Sequence, residues 1–128
     1  MEAVKQLLKG DQFAGHCGLK LVSLGDGRAV VTMDIKPCHL NGNNVVHGGA
    51  IFTLADYAFA AACNSLAMIS VSINASISYI KAGGATGTLT AEARPVSTNS
   101  KLGTYLVEIK NIEGVVIAVF QGLAYKIK

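Results

Sequence analysis

Residues 47–65 read HGGAIFTLADYAFAAACNS, and the fold follows from how that stretch is buried. From Gly48 to about residue 66 no proline interrupts and no glycine recurs after Gly49. Alanine, leucine and phenylalanine dominate, and apolar residues fall nearly all round a 3.6-residue helix. A helix of that kind is buried on most sides. In a chain of 128 residues only a sheet wrapped around the helix can bury it so completely. One carboxylate, Asp56, breaks the apolar run. An unpaired buried carboxylate is costly, so its presence asks for a reason.

Working outward, Val4, Leu7 and Leu8 mark a short amphipathic helix over 2–9, stopped at Gly10. The stretch GLKLVSLGDGRAVVTMDI alternates about Gly25-Asp26-Gly27 and predicts a hairpin, about 18–24 with 28–35. KPCHLNGNN reads as a polar loop. After the long helix, ISVSINASISYIKA places Ile69, Val71, Ile73, Ala75, Ile77 and Tyr79 on one face at period 2. GTLTAEARPVS follows, and then TYLVEIKNIEGVVIAVFQGLAYKIK, split by the turn NIEG. The order predicts an α+β fold in which an antiparallel sheet curls around one long central helix, as a single domain over 1–128. Charged residues make up only 15% of the chain, below the ~25% of an average domain. Sparse charge and two sheet edges favour a two-fold dimer.

Other function classes find little support. Net charge is +3 and the lysines are scattered, so no basic stripe suits a nucleic acid. The N-terminus is too polar for a signal peptide, and the longest apolar run, 45–63, is too interrupted for a membrane span. Three cysteines without CxxC spacing read as reduced thiols of a cytoplasmic protein. The pairs His16-Cys17 and Cys38-His39 could supply soft ligands, but adjacent side chains on a strand diverge, so no metal is expected. No phosphate-cradling glycine loop is present, and no cofactor is called for.

The candidate chemistry lies on the long helix. Asp56, with Thr53, Tyr57 and Ala60 three and four residues away, could be a general base or nucleophile in a partly dry cleft. It could also be a carboxylate satisfied within the core. His47-Gly48-Gly49 opens the helix, where free amides can stabilise an oxyanion and glycine admits a close ligand. The alternative is a plain glycine-rich helix entry with His47 as its cap. Gly48 and Asp56 are eight residues apart, roughly 12 Å along a helix. One site can use both only if each comes from a different subunit. A Cys63–His47 nucleophile pair fails by the same measure, at about 24 Å.

The block LNGNNVVHGGAIFTLADYAFAAACNS, with Asn41, the His47-Gly48-Gly49 triplet, FTLAD ending in Asp56, and Asn64-Ser65, resembles the PaaI-type hotdog-fold thioesterases. Softer matches extend the likeness over roughly 14–126. The resemblance implies five or six antiparallel strands around the helix, dimers pairing into homotetramers, and metal-free hydrolysis of acyl-CoA. It implies that the Gly48 amide polarises the thioester carbonyl, that Asp56 of the facing subunit activates water or attacks, and that Asn41 positions the water or carboxylate. His47, Gly49 and Thr53 fall at the substrate, His47 mainly by holding the loop, and Lys101 falls where relatives carry a base near the CoA phosphates. Where many relatives have Gly-Asp, this chain has Gly87-Thr88. Ala58, Ala60, Ala61 and Ala62 suggest a roomy channel for an aryl-acyl or medium-chain group. Two other readings are a non-catalytic acyl-CoA sensor on the same fold and a hydratase. The hydratase needs an Asp and a His together, and no histidine follows residue 47.

Overall fold

The computed structural model describes residues 2–66 and 69–127. In chain order it contains α1 (Glu2–Lys9), α2 (Gln12–Cys17), β1 (Leu19–Gly25), β2 (Arg28–Asp34), a 3₁₀ turn (Pro37–His39), α3 (Gly48–Asn64), β3 (Ser70–Tyr79), β4 (Thr88–Thr98), β5 (Leu102–Lys110) and β6 (Val116–Lys126). The strands form one six-stranded sheet in the order β1-β2-β4-β5-β6-β3, every pairing antiparallel. α3 packs across the sheet, chiefly on β2, β4 and β5. This is the hotdog arrangement that the apolar helix demanded.

The local chemistry explains the elements. Asp26 and Gly27 both have positive φ, 56° and 76°, which is the type I′ geometry whose twist suits a two-residue hairpin loop. Inward positions of β2, β4 and β5 alternate strictly: Val31 and Met33, then Leu89, Ala91 and Ala93, then Tyr105, Val107 and Ile109 are all buried. The helix end is pinned where the Ser65 hydroxyl accepts the Gly27 amide at 2.9 Å. Helix α2 was not foreseen. At six residues it is too short to show a period, and its capping carries it. Asp11 Oδ1 accepts the Ala14 amide at 2.9 Å, and Gly18 closes the end at φ 76°.

The alternation of β3 does not mark a buried face within one chain. Ile73 is 55% exposed and Tyr79 52%. β3 is an edge strand, beyond the strands that α3 covers most, and only Ile77 of its apolar row packs against the core. The alanines also divide differently from the expected channel. Ala58, Ala61 and Ala62 are fully buried against the sheet, and Ala60 alone of the four borders an open cavity.

The tightest approach of helix to sheet is at Gly122 of β6. A Cβ there would stand 2.7–2.8 Å from three atoms of the Phe59 ring. That ring is held by Tyr105 and Phe120, each with its centroid 5.7 Å away. Gly122→Ala should therefore lower stability by about 1–3 kcal/mol through overpacking. Urea unfolding should show a lower midpoint with an unchanged slope. An unaltered midpoint would mean that the ring can move aside.

Candidate active site

The site is built on the start of α3. His47 is the N-cap residue, with φ −64° and ψ 137°. Its Nδ1 accepts the Gly49 amide at 2.7 Å, while the amides of Ala50 and Ile51 donate to its carbonyl at 3.0 and 3.2 Å. Of the first-turn amides, the Gly48 N–H alone finds no acceptor among the described residues. It carries the partial positive charge of the helix end. The Gly48 carbonyl accepts the Tyr79 hydroxyl at 2.9 Å, and a Cβ on Gly48 would meet the Tyr79 ring at 3.2–3.4 Å.

The loop before the helix is tied down by Asn41 and His39. Asn41 Oδ1 accepts the amides of Asn43 at 2.8 Å and Val45 at 3.3 Å. The His47 amide donates to the His39 carbonyl at 2.7 Å. The buried His39 ring spends both nitrogens on the backbone: Nδ1 accepts the Lys36 amide at 3.0 Å, and Nε2 donates to the Cys17 carbonyl at 2.8 Å. The pairs His16-Cys17 and Cys38-His39 do come together, around a cavity of about 500 Å³ that His47, Gly49 and Thr53 also line. They sit on helical turns, not on a strand. Among the described residues no three metal-binding side chains converge.

Along α3, Gly49, Thr53, Asp56 and Ala60 form the one stripe that the sheet leaves open. Thr53 Oγ1 donates to the Gly49 carbonyl at 2.8 Å. Asp56 makes no hydrogen bond or ion pair among the described residues. It borders a cavity of about 270 Å³ that Phe13, Phe52, Tyr57 and the exposed Asp11 also line. Burial pushes its carboxyl above the ordinary aspartate value, and the Asp11 charge pushes the same way. Phe13 and Thr53 line this cavity and the larger one, so the two run together into a groove along the stripe. Burial drives the Cys63 thiol up to about 12, which removes it as a nucleophile near neutral pH.

The expected residues gather in two places. Asn41 and Gly48 share a cavity of about 320 Å³ with Tyr79 and Lys81, while Thr53 and Asp56 share the groove. Lys101 joins neither within one chain. It lies in the β4–β5 hairpin, where its carbonyl accepts the Lys126 amide, and Lys126 pairs with Ser70 at the start of β3. Tyr79, which reaches Gly48, ends that strand, roughly 30 Å away. Tyr79, Lys81, Asp11 and Phe13 line these cavities, and the sequence pattern does not single them out as candidates. Tyr79 is hidden as the last apolar member of an alternating strand, and the others carry no local motif.

A half-buried, unpaired carboxylate such as Asp56 can deprotonate water or attack an acyl carbon. A free helix-end amide can stabilise the oxyanion that forms. The family described as the Thioesterase superfamily matches residues 43–118, which spans both groups. The chain belongs to the thioesterase superfamily. This thioesterase is similar to Acyl-coenzyme A thioesterase PaaI of Escherichia coli, at 37% identity over 94% of this chain and 86% of that protein. It is also similar to an Archaeoglobus fulgidus protein named "Putative esterase", at 40% identity over 99% of this chain and 83% of that one. The solved structure of E. coli PaaI superposes with a TM-score of 0.93 at 36% identity, covering 97% and 90% of the two chains. A hypothetical thioesterase of Streptococcus pneumoniae, solved with coenzyme A, gives 0.88 at 26% identity, covering 94% of each. The chain is a thioester hydrolase of the PaaI type. No helix among the described residues is long and apolar enough to cross a membrane.

The raised carboxyl of Asp56 sets a sign for stability. Because the folded state disfavours the ionised form, stability is lost as pH rises through the folded-state value. Asp56→Asn should thus melt higher than wild type at pH 7. The gap should close as pH falls below the ordinary aspartate range, as thermal melts at several pH values would show. A lower melting point for the variant at pH 7 would mean that the carboxylate has a stabilising partner.

Proposed function

We propose that residues 1–128 act as a single hotdog domain that hydrolyses acyl-CoA to the free acid and CoA, at sites shared by two subunits. The observation that carries this reading is the free Gly48 amide and the unpartnered Asp56 on one helix, each bordering a cavity, about 12 Å apart. Too far apart to serve one carbonyl in a single chain, they meet if two α3 helices lie antiparallel about a two-fold axis. The names of the E. coli relative and of the CoA-bound S. pneumoniae structure support the substrate class.

In this reading the Gly48 amide of one subunit polarises the thioester carbonyl. Asp56 of the other either activates water or attacks the carbonyl. The Asn41 side-chain oxygen is engaged in its loop, so its NH₂ group is the one free to orient water or carboxylate. His47 serves by holding Gly49, while Gly49 and Thr53 line the groove. Lys101 is the proposed contact for the CoA phosphates, from a hairpin outside the chain's own cavities. Water and a carboxylate suffice, so no metal or cofactor is invoked. The aromatic walls Phe13, Phe52 and Tyr57 suit an aryl-acyl or medium-chain group. A non-catalytic sensor would need the cavity but not an unpaired carboxylate.

The edge strand supplies the dimer. β3 presents Val71, Ile73 and Tyr79 to solvent along an unpaired backbone edge, which invites strand addition from a second copy. Such dimers would pair into a homotetramer. We place the enzyme in the cytoplasm, where Cys17, Cys38 and Cys63, all unbridged, stay reduced.

Shared sites make a specific prediction. Asp56→Asn should lower kcat by about 10³-fold or more with modest change in KM. Gly48→Pro removes the amide at a helix position that tolerates proline and should be similarly impaired. Refolding the two inactive variants together should restore about a quarter of wild-type activity, since half of the dimers are mixed and each mixed dimer has one intact site. No restoration would place both residues in one subunit's site. Ile73→Lys should yield monomers by light scattering and abolish turnover. An active monomer would sink the shared-site reading.

A further inference from the structure

The cavity beside Asp56 holds a second carboxylate whose place is set by a different element. Asp11 precedes α2, and its Oδ1 caps that helix at the Ala14 amide, 2.9 Å away. The other end of α2 is clamped where the Cys17 carbonyl accepts His39 Nε2 at 2.8 Å. Asp11 is therefore held at the cavity wall by a short helix fixed at both ends. It shares the cavity with Phe13, Phe52, Asp56 and Tyr57. Among the described residues no lysine, arginine or histidine lines this cavity. Within one chain the pocket thus combines aromatic walls with two carboxylates, while Lys5 and Lys9 of α1 border a second cavity that Asp11 and Tyr57 also line.

We propose that Asp11 is a specificity-determining residue that bars acyl groups carrying a terminal carboxylate and reserves the pocket for neutral acyl chains and rings. This rests on the thioesterase reading above, in which the acyl group lies beside Asp56. An acyl chain ending in a carboxylate would bring a third negative charge against two others, Asp11 exposed at the cavity rim and Asp56 half-buried within it. A methyl or phenyl terminus meets only the aromatic faces. The same arrangement reaches the base itself. Asp56 shares its cavity with Asp11, the cap residue of α2, and with Tyr57 of its own helix; its charge also acts on Cys63, and Lys5 and Lys9 of α1 border a second cavity that Asp11 and Tyr57 line. Asp11 adds to the burial that holds the Asp56 carboxyl up.

The test compares hexanoyl-CoA with adipoyl-CoA, which share a six-carbon acyl chain and differ in the terminal carboxylate. Asp11→Asn keeps an equally good helix cap while removing the charge. The readout is the ratio of kcat/KM for adipoyl-CoA to that for hexanoyl-CoA, which is independent of the fraction of enzyme folded. Wild type should favour hexanoyl-CoA by at least ~10-fold, and Asp11→Asn should raise the ratio by about 5–10-fold. The acid limb of the hexanoyl-CoA pH profile should move to lower pH in the variant, which loss of packing alone would not produce. Glu113→Gln, in the exposed β5–β6 turn, should leave the ratio unchanged. A variant that hydrolyses hexanoyl-CoA with the wild-type ratio overturns the role of Asp11 and leaves the thioesterase standing. Wild-type protein that hydrolyses neither ester overturns the thioesterase reading, and this proposal with it.

Discussion

A seventeen-residue helix with almost no polar face cannot be left in water, and the rest of the structure answers that constraint. Its backbone hydrogen bonds are satisfied internally, so the cost of exposing it lies in its side chains. Ile51, Leu54, Phe59 and the alanines between them can be dried only by a surface that bends round them. Six antiparallel strands provide it. Small inward residues at Ala91, Ala93, Gly122 and Ala124 let the sheet come close, and the larger Tyr105, Phe120 and Ile109 fill the space on either side. Phe59 against Gly122 is the tightest expression of this fit.

The sheet does not close round the whole helix. The stripe through Gly49, Thr53, Asp56 and Ala60 stays open, and of the candidate groups Gly48 borders a separate cavity at the helix start while Asp56 lies on the stripe itself. A carboxylate is tolerable there because it keeps partial access to water, yet burial still holds its carboxyl above the ordinary value. At the helix start, the His47 cap takes up the Gly49 amide and leaves that of Gly48 free. One cap residue thus both stabilises the helix and selects which amide faces outward. Tyr79 ties the same turn to the end of the edge strand, so the surface suited to a second subunit and the free amide are mechanically connected.

The N-terminal segment completes the groove. α2 lies beside the open stripe and places Phe13 against both cavities, and its cap residue Asp11 lines the cavity of Asp56. Its anchoring depends on His39, a buried ring whose two nitrogens bind the backbone of two separate segments. The two histidine–cysteine pairs therefore meet for a structural reason, through a histidine with no free nitrogen for a metal.

The sequence by itself determined the central helix, the hairpin at Gly25-Asp26-Gly27 and the inward alternation of the later strands, and it singled out Asp56 with the His47-Gly48-Gly49 entry as the candidate chemical centre. These are legible because period, turn chemistry and a lone charge in an apolar run are local properties of the chain. Its block of residues 41–65 was also specific enough to carry the family resemblance. Only the tertiary structure decided that β3 lies at an edge with its apolar row exposed, and that three of the four alanines are core. It alone placed Lys101 at the far end of the sheet from Gly48 and set Asp11, Phe13, Tyr79 and Lys81 around the cavities. Burial and proximity between distant segments depend on strand order and on where short helices are clamped, and neither leaves a period in the chain.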